Sequence, residues 1–464
     1  MSTTSRKQFD ISLIAVIVIA CFLALFNSTA LNAGLPLFME IFHASVTEVQ
    51  WIMIGYTVIM GVVSPLAAWF VHRFTLRNYF VYSMFSYAVL SLASGIVANV
   101  YFVIVIRAIQ GIAGAALVPV TMIAIYRFVP RHRQPLFLTI QSMSLSLGPA
   151  IGPVIAGMLL MVLSWRWLFW FSVPLALVAG WLGMRVLPKE TPQSAEKIDV
   201  PSLVTIVIGS MLVLMGFSLA SDMGLSNPLI IAMIVIGCLL CAWFIMRQGR
   251  LASPILTFTS CRNREFALAL VANVLLSMAL CLAPFVLAIY LQTVRGFSAF
   301  QYGLLLLIPA IFSVGGAPIS QKLYTVVSSK ALIIGGLVLL SVGNLLLGFS
   351  TIDTSIVLFI ALLCVRYLGI GIMGMPVTDH GMRALPPELQ DDGSTLINWA
   401  KLMANSFALS VFTMVYTLVS SDIAGAGGEM LAMVKGVDEV FVSSAVMLLL
   451  GLIPSFLLKR EKPR

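Results

Sequence analysis

Charge is what this 464-residue sequence has least of: Asp, Glu, Lys and Arg make up 10% of it, against 60% hydrophobic residues. Soluble domains carry about 25% charged residues. So much apolar surface cannot hide in a water-soluble core, and the scarcity of charge places the chain in a membrane. Acids are scarcer still. No Asp or Glu occurs between Glu48 and Glu190, so no carboxylate in that stretch can carry a proton. Cysteine is thin as well. Cys21, Cys238, Cys241, Cys261, Cys281 and Cys364 show neither a disulfide framework nor metal-ligand spacing, and no metal or cofactor is expected. Also missing are a His-Glu zinc pattern, a Gly-x-Ser-x-Gly elbow and paired carboxylates in apolar runs, which argues against an intramembrane enzyme. A membrane sensor or scaffold usually carries a soluble signalling module, and no loop is long enough to hold one.

What is present is a series of apolar runs. They begin near Ile11, Val49, Tyr79, Tyr101, Leu136, Trp167, Ser202, Pro228, Phe266, Phe300, Ala331, Ser355, Gly393 and Val440. This predicts an all-α membrane protein with about fourteen spanning helices of roughly 20 residues. The basic lead before Ile11 enters the first run without a cleavage site, so a retained first helix is expected rather than a signal peptide. A polar linker from Pro188 and a basic loop from Arg247 to Glu265 divide the runs as six, two and six. The expected domains are a six-helix bundle at 1–187, a linker with two extra helices at 188–265, and a second six-helix bundle at 266–464. A weak repeat supports two halves: Arg107, Gly111, Gly114 and Pro119 resemble Arg366, Gly369, Gly371, Gly374 and Pro376. Parallel repeats of this kind build a substrate site near the bilayer midplane.

The cations fall on one side. About 21 Lys and Arg lie in loops facing the side of the N-terminus, and about 3 (Arg166, Arg295 and Lys435) on the other. Both termini are therefore expected in the cytoplasm. The net charge of +9 is topological, and nucleic acid is not an expected partner.

Four stretches bear chemistry. In SLSLGPAIGPVIAG, Ser144, Gly148, Gly152 and Ala156 recur every fourth residue, which gives a smooth helical face for close packing, while Pro149 and Pro153 loosen the adjoining stripe. Gly157 ends the run. In RAIQGIAGAALVP, Arg107 lies about two turns into an apolar run; a functional charge is the default there, with snorkelling to the surface as the alternative. In the loop after the second run, His72 stands beside Arg73 and Arg77, either as a pH sensor or as a plain surface histidine. In the second half, Asp379 and Lys401 either pair with each other, or Asp379 carries a proton, or Asp379 is a solvated helix end.

These stretches resemble motifs of the major facilitator superfamily, in its fourteen-span drug:proton antiporter branch. Gly148, Gly152, Pro153 and Gly157 match the antiporter motif Gly-x-x-x-Gly-Pro-x-x-Gly-Gly, with Ala156 where glycine is usual; Pro149 lies within it. Arg107, Gln110, Gly111 and Gly114 match the proton-relay motif Arg-x-x-Gln-Gly-x-x-Gly-Ala. Further matches are Trp165, Arg166, Trp167, Phe169, Pro174, Tyr290, Gln292, Gly296, Gly303 and Pro309. Two departures matter. Asn27 stands where the branch carries a first-helix aspartate, although Asn32 and Pro36 match, and asparagine cannot titrate. His72 and Thr75 replace the gate loop's aspartate and second glycine.

The resemblance implies a secondary active exporter of lipophilic drugs or toxic compounds in a bacterial inner membrane, working by alternating access and proton antiport. Arg107, Gln110, Asp379 and Lys401 would couple protons, His72, Arg73 and Arg77 would gate, and Phe22, Phe26, Asn27, Trp51 and Tyr56 would line the cavity. The 24 methionines suit an adaptable wall. The expected partners are a small lipophilic substrate, protons, membrane lipid and, in a Gram-negative cell, a periplasmic adaptor. The lack of core carboxylates keeps a dedicated metabolite or organic-anion carrier open as the alternative.

Overall fold

A computed structural model describes residues 3–130, 133–191, 199–251, 254–324, 326–386 and 389–459. Within them every regular element is helical. The apolar runs become helices because a backbone in lipid must satisfy its own polar groups, and polar caps fix where they begin. Ser45 and Glu48 form a reciprocal capping box, while Asn99, Asn227 and Asn263 each accept backbone N–H groups at a helix start.

The chain forms two compact units. The first comprises Met1–Ile198 together with Ala299–Gly303. It contains α1 (Thr3–Ala33), α2 (Leu35–Phe42), α3 (Val46–Val63), α4 (Ala67–Phe74), α5 (Leu76–Ile96), α6 (Val100–Gly114), α7 (Leu117–Phe128), α8 (Gln134–Val162), α9 (Trp167–Trp170) and α10 (Ser172–Val186). Here α8 packs along α1, α3 along α6, and α5 against both α6 and α10. The second unit comprises Asp199–Ser298 and Leu304–Arg464. It holds α11 (Val200–Met223), α12 (Pro228–Gln248), α13 (Arg264–Ala288), most of α14 (Ala299–Leu323), α15 (Ser329–Leu347), α16 (Ile356–Arg383), α17 (Gln390–Gly427), α18 (Glu429–Leu450) and α19 (Leu452–Phe456).

Thirteen helical stretches among the described residues are long and apolar enough to cross a membrane, and Ile151–Val162 of α8 is a shorter apolar helix. The α11–α12 hairpin belongs to the second compact unit, where α11 packs on α17. The fourth expected span is one stretch made of α6 and α7, interrupted at Ala115 and Ala116 after the glycines of the motif.

Candidate functional site

Arg107 organises the interior of the first unit. It is fully buried on α6, and among the described residues no carboxylate takes part in its network. Its Nη1 donates to Gln110 Oε1 at 2.6 Å and to Asn27 Oδ1 at 3.3 Å. Nη2 reaches the Asn27 carbonyl and Nε the Ile52 carbonyl, both at 3.4 Å. The guanidinium also lies 4.3 Å from the centre of the Tyr56 ring. Oriented carbonyls, two carboxamides and an aromatic face thus take the place of a counter-ion. Dipoles of this kind hold a charge in a low dielectric only when nearly every donor is used.

The carboxamides are fixed in turn. Asn27 Nδ2 donates to Tyr87 Oη at 2.6 Å and Ser172 Oγ at 2.7 Å, and Gln110 Nε2 to Ser91 Oγ at 2.7 Å. Five elements, α1, α3, α5, α6 and α10, are thereby joined through one buried cation. Glycine makes the approach possible. A Cβ on Gly114 would lie 2.5 Å from Tyr56 Oη, and one on Gly111 would lie 2.6 Å from the Tyr56 carbonyl oxygen. Any side chain there would push the aromatic face off Arg107.

The small face of α8 meets protein rather than lipid. A Cβ on Gly148 would stand 2.9 Å from the Phe26 backbone nitrogen, and one on Gly152 would stand 2.8 Å from Thr29 Oγ1. Ser144, Pro153 and Ala156 are buried. Gly157 faces the backbone of Ala299 and Phe300, the segment of α14 that belongs to this unit. Pro149 is helical, but its side chain lies outside the described residues.

The second unit repeats the theme. Arg366, fully buried on α16, donates through Nε to Asn344 Oδ1 at 2.7 Å and through Nη2 to the Ala279 carbonyl. Asn344 Nδ2 then donates to Ser444 Oγ at 3.1 Å. Nη1 of Arg366 has no partner among the described residues.

The profile of the Major Facilitator Superfamily matches residues 17–409. The chain belongs to this superfamily. It is 30% identical to the "Uncharacterized MFS-type transporter YhcA" of Bacillus subtilis over 90% of this chain and 79% of that one. It is 26% identical to the "Lincomycin resistance protein LmrB" of Listeria monocytogenes over 99% of both chains. The fold is similar to the crystal structure of a bacterial homolog of the human lysosomal transporter Spinster, inward-facing and unoccupied. That likeness has a TM-score of 0.70, 13% identity and 98% coverage of this chain (99% of that one). A superfamily member of this kind is a multi-pass membrane transporter of small substrates.

Phe26, Asn27 and Tyr56 are 0–1% exposed, Phe26 packed between Phe22 and Phe171, and the other two bound to Arg107. Phe22 and Trp51 are half-buried. The gate stretch is helical, with exposed His72 and Arg73 in the last turn of α4. One residue, Thr75, joins α4 to α5 with φ +71° and ψ 152°, a conformation that suits glycine, and its Oγ1 caps the Asn78 N–H at 3.3 Å. Here the superfamily's glycine has a backbone reason. Arg77 lines a cavity of about 380 Å³ with Asn78, Tyr82, Lys189 and Glu190, and Glu190 pairs with Arg127 at 3.3 Å.

Asp379 and Lys401 do not meet. Asp379 binds Arg383 at 2.8 Å and accepts from Tyr324 Oη at 2.6 Å. Beside it, buried His380 bridges Ser329 Oγ (2.8 Å from Nδ1) and Glu265 Oε2 (3.3 Å from Nε2), and Glu265 also accepts from the backbone N–H of Lys459. Sequence reading missed His380, Tyr87, Ser172 and Ser444. Single serines and tyrosines in apolar runs give no sign of which distant helix they will meet.

Proposed function

We propose that the chain is a secondary active exporter of lipophilic compounds, working by alternating access in exchange for protons. In this reading it has fourteen spans arranged six, two and six, with both termini in the cytoplasm of a bacterial cell. The observation that carries it is Arg107. An ion that costs several kcal/mol to bury in a membrane is held without a counter-ion at the meeting point of five elements. Anchoring alone does not require such a group. The lincomycin-resistance relative, similar over nearly the whole chain, supports drug efflux as the use.

Arg107 acts as a fixed charge in this reading. Asn27 holds it in place but binds no proton. The coupling proton falls instead to the cytoplasmic end of α16, where Asp379 and His380 sit among Tyr324, Arg383, Ser329 and Glu265. A specific observation also favours a second reading, a carrier of organic anions: Lys401, inside a membrane span, has no counter-ion among the described residues. The test is transport of lincomycin and of an uncharged lipophilic dye into inside-out vesicles under an imposed pH gradient. Accumulation that needs the chain and stops when the gradient is collapsed is expected. Accumulation indifferent to the gradient would rule out proton exchange.

A further inference from the structure

α17 carries three polar residues, Asn398, Lys401 and Asn405, at a spacing that places them together. At about 100° per residue they fall within about 60° of one another on the helix. Lys401 is nine residues past Asp392, the first residue of this 32-residue span, about 14 Å along the axis and inside the span. Lys401 is half-buried there, and an ammonium inside a span is held against protein or water rather than lipid.

The contacts of α17 show which sides are taken. Trp399 packs edge-on to Phe258, Ser210 Oγ reaches Met403 Sδ, and Phe407 packs edge-on to Phe217, so one face belongs to the α11–α12 hairpin and the segment after it. The polar stripe lies on the opposite face. Further along that same face, Ala408, Phe412 and Tyr416 are buried, with Tyr416 against Phe285 of α13 and Gly436 of α18. The face therefore runs from buried apolar packing into a half-open polar section. In that section Lys401 is half-buried with no hydrogen bond or ion pair, and Asn405 Oδ1 is buried with no partner among the described residues. A carboxamide turns over readily, so Asn405 can present its N–H groups in place of that oxygen. Arg366, in the same unit, also lacks a carboxylate partner.

We propose that Lys401 and Asn405 seat the anionic head of a lipophilic substrate, a carboxylate or sulfonate on an apolar body. The seat rests on the export reading above and narrows its substrate class to amphipathic organic anions. Lys401 supplies the charge and the Asn405 carboxamide supplies directional donors, a combination that an uncharged or cationic compound leaves unused.

The experiment measures binding of decanoate to the purified full chain in discs of neutral lipid, with decanol and decyltrimethylammonium as matched controls. Decanoate is expected to bind the wild type and Lys401→Arg, to bind Lys401→Met at least tenfold more weakly, and to exceed both controls. Asn405→Ala is expected to weaken decanoate about threefold, and it serves as the test if Lys401→Met does not fold. Unchanged affinity in either folded variant overturns the seat, as does equal binding of decyltrimethylammonium or no decanoate binding by the wild type. Decanoate affinity is expected to persist in discs containing phosphatidylglycerol; loss there would assign the site to a lipid headgroup and also overturn it. Failure of the wild type to export anything would sink the export reading, whereas export with indifferent decanoate binding would sink the seat alone.

Discussion

Arg107 and Arg366 hold equivalent places in the two units, and the difference between them is instructive. Both are fully buried, on α6 and α16, and both lead through an asparagine to a serine, on α10 or α18: Asn27 and Ser172 in one case, Asn344 and Ser444 in the other. Both reach a carbonyl, that of Asn27 on α1 or of Ala279 on α13. The asparagine moves, however. In the first unit it stands on α1, where it also ties in Tyr87; in the second it stands on α15. Arg107 uses its donors on four acceptors and lies 4.3 Å from the Tyr56 ring; Arg366 has two acceptors and the Tyr367 ring at 5.2 Å, and its Nη1 has no hydrogen-bond partner among the described residues. A buried charge can thus be held entirely by dipoles in one unit and incompletely in its counterpart. The incompletely held unit is also the one that carries Lys401 and the titratable cluster at the end of α16.

The largest way to break this comparison is removal of the cations. Arg107→Ala strands the acceptors of Asn27, Gln110 and Ile52 and is expected to cost ~3–5 kcal/mol. Arg366→Ala strands fewer, and roughly 2–3 kcal/mol is expected. Unfolding of both purified variants checks the order, and a larger loss at Arg366 would reverse the reading of the two networks. Next in size is Gly152→Leu, whose side chain must enter the space of Thr29. A loss of about 1–3 kcal/mol from overpacking and blocked transport at normal membrane levels are expected. Full transport would reduce the small face to plain packing. Thr75→Gly works in the other direction: it relieves the glycine-like backbone but removes a cap, for a net gain of about 1 kcal/mol in thermal unfolding.

The smallest effect sharpens the contrast between buried and interfacial charge. Asp199 lies just before the span that begins at Val200, and Arg247 beside it, bonded at 2.7 and 2.8 Å, holds its carboxyl down to about 2. A lowered folded value means that the stabilisation is present above the ordinary carboxylate range and is lost as pH falls toward about 2. Arg247→Gln should therefore shift acid unfolding to higher pH. The change should be small, because Arg247 is 35% exposed and solvent screens the pair. A shift as large as that of Arg107→Ala would mean that the interface pair, rather than the buried network, holds the helices in place.

Much of the fold was legible because lipid forces long apolar helices, and Arg107, Gln110 and the glycines were legible because they fall within one turn or two of each other. Asn27 was legible as a lost titration site. Its structural role was not, because Tyr87 and Ser172 lie on helices far away in sequence. The mismatch was greatest where long side chains choose among partners. Arg383, four residues from Asp379 on the same helix, takes its carboxylate. Nothing in the sequence shows the contacts that Phe26 and Tyr56 make, with Phe171 in one case and the Arg107 guanidinium in the other.

Drug accumulation in cells addresses the role of Arg107 most directly. It is compared in cells without the gene, with the wild type and with Arg107→Ala at matched membrane levels, before and after a protonophore. Wild-type cells should accumulate least until the protonophore removes the difference, and Arg107→Ala cells should match those without the gene. Export by Arg107→Ala at the wild-type rate would contradict the buried cation as the centre of transport.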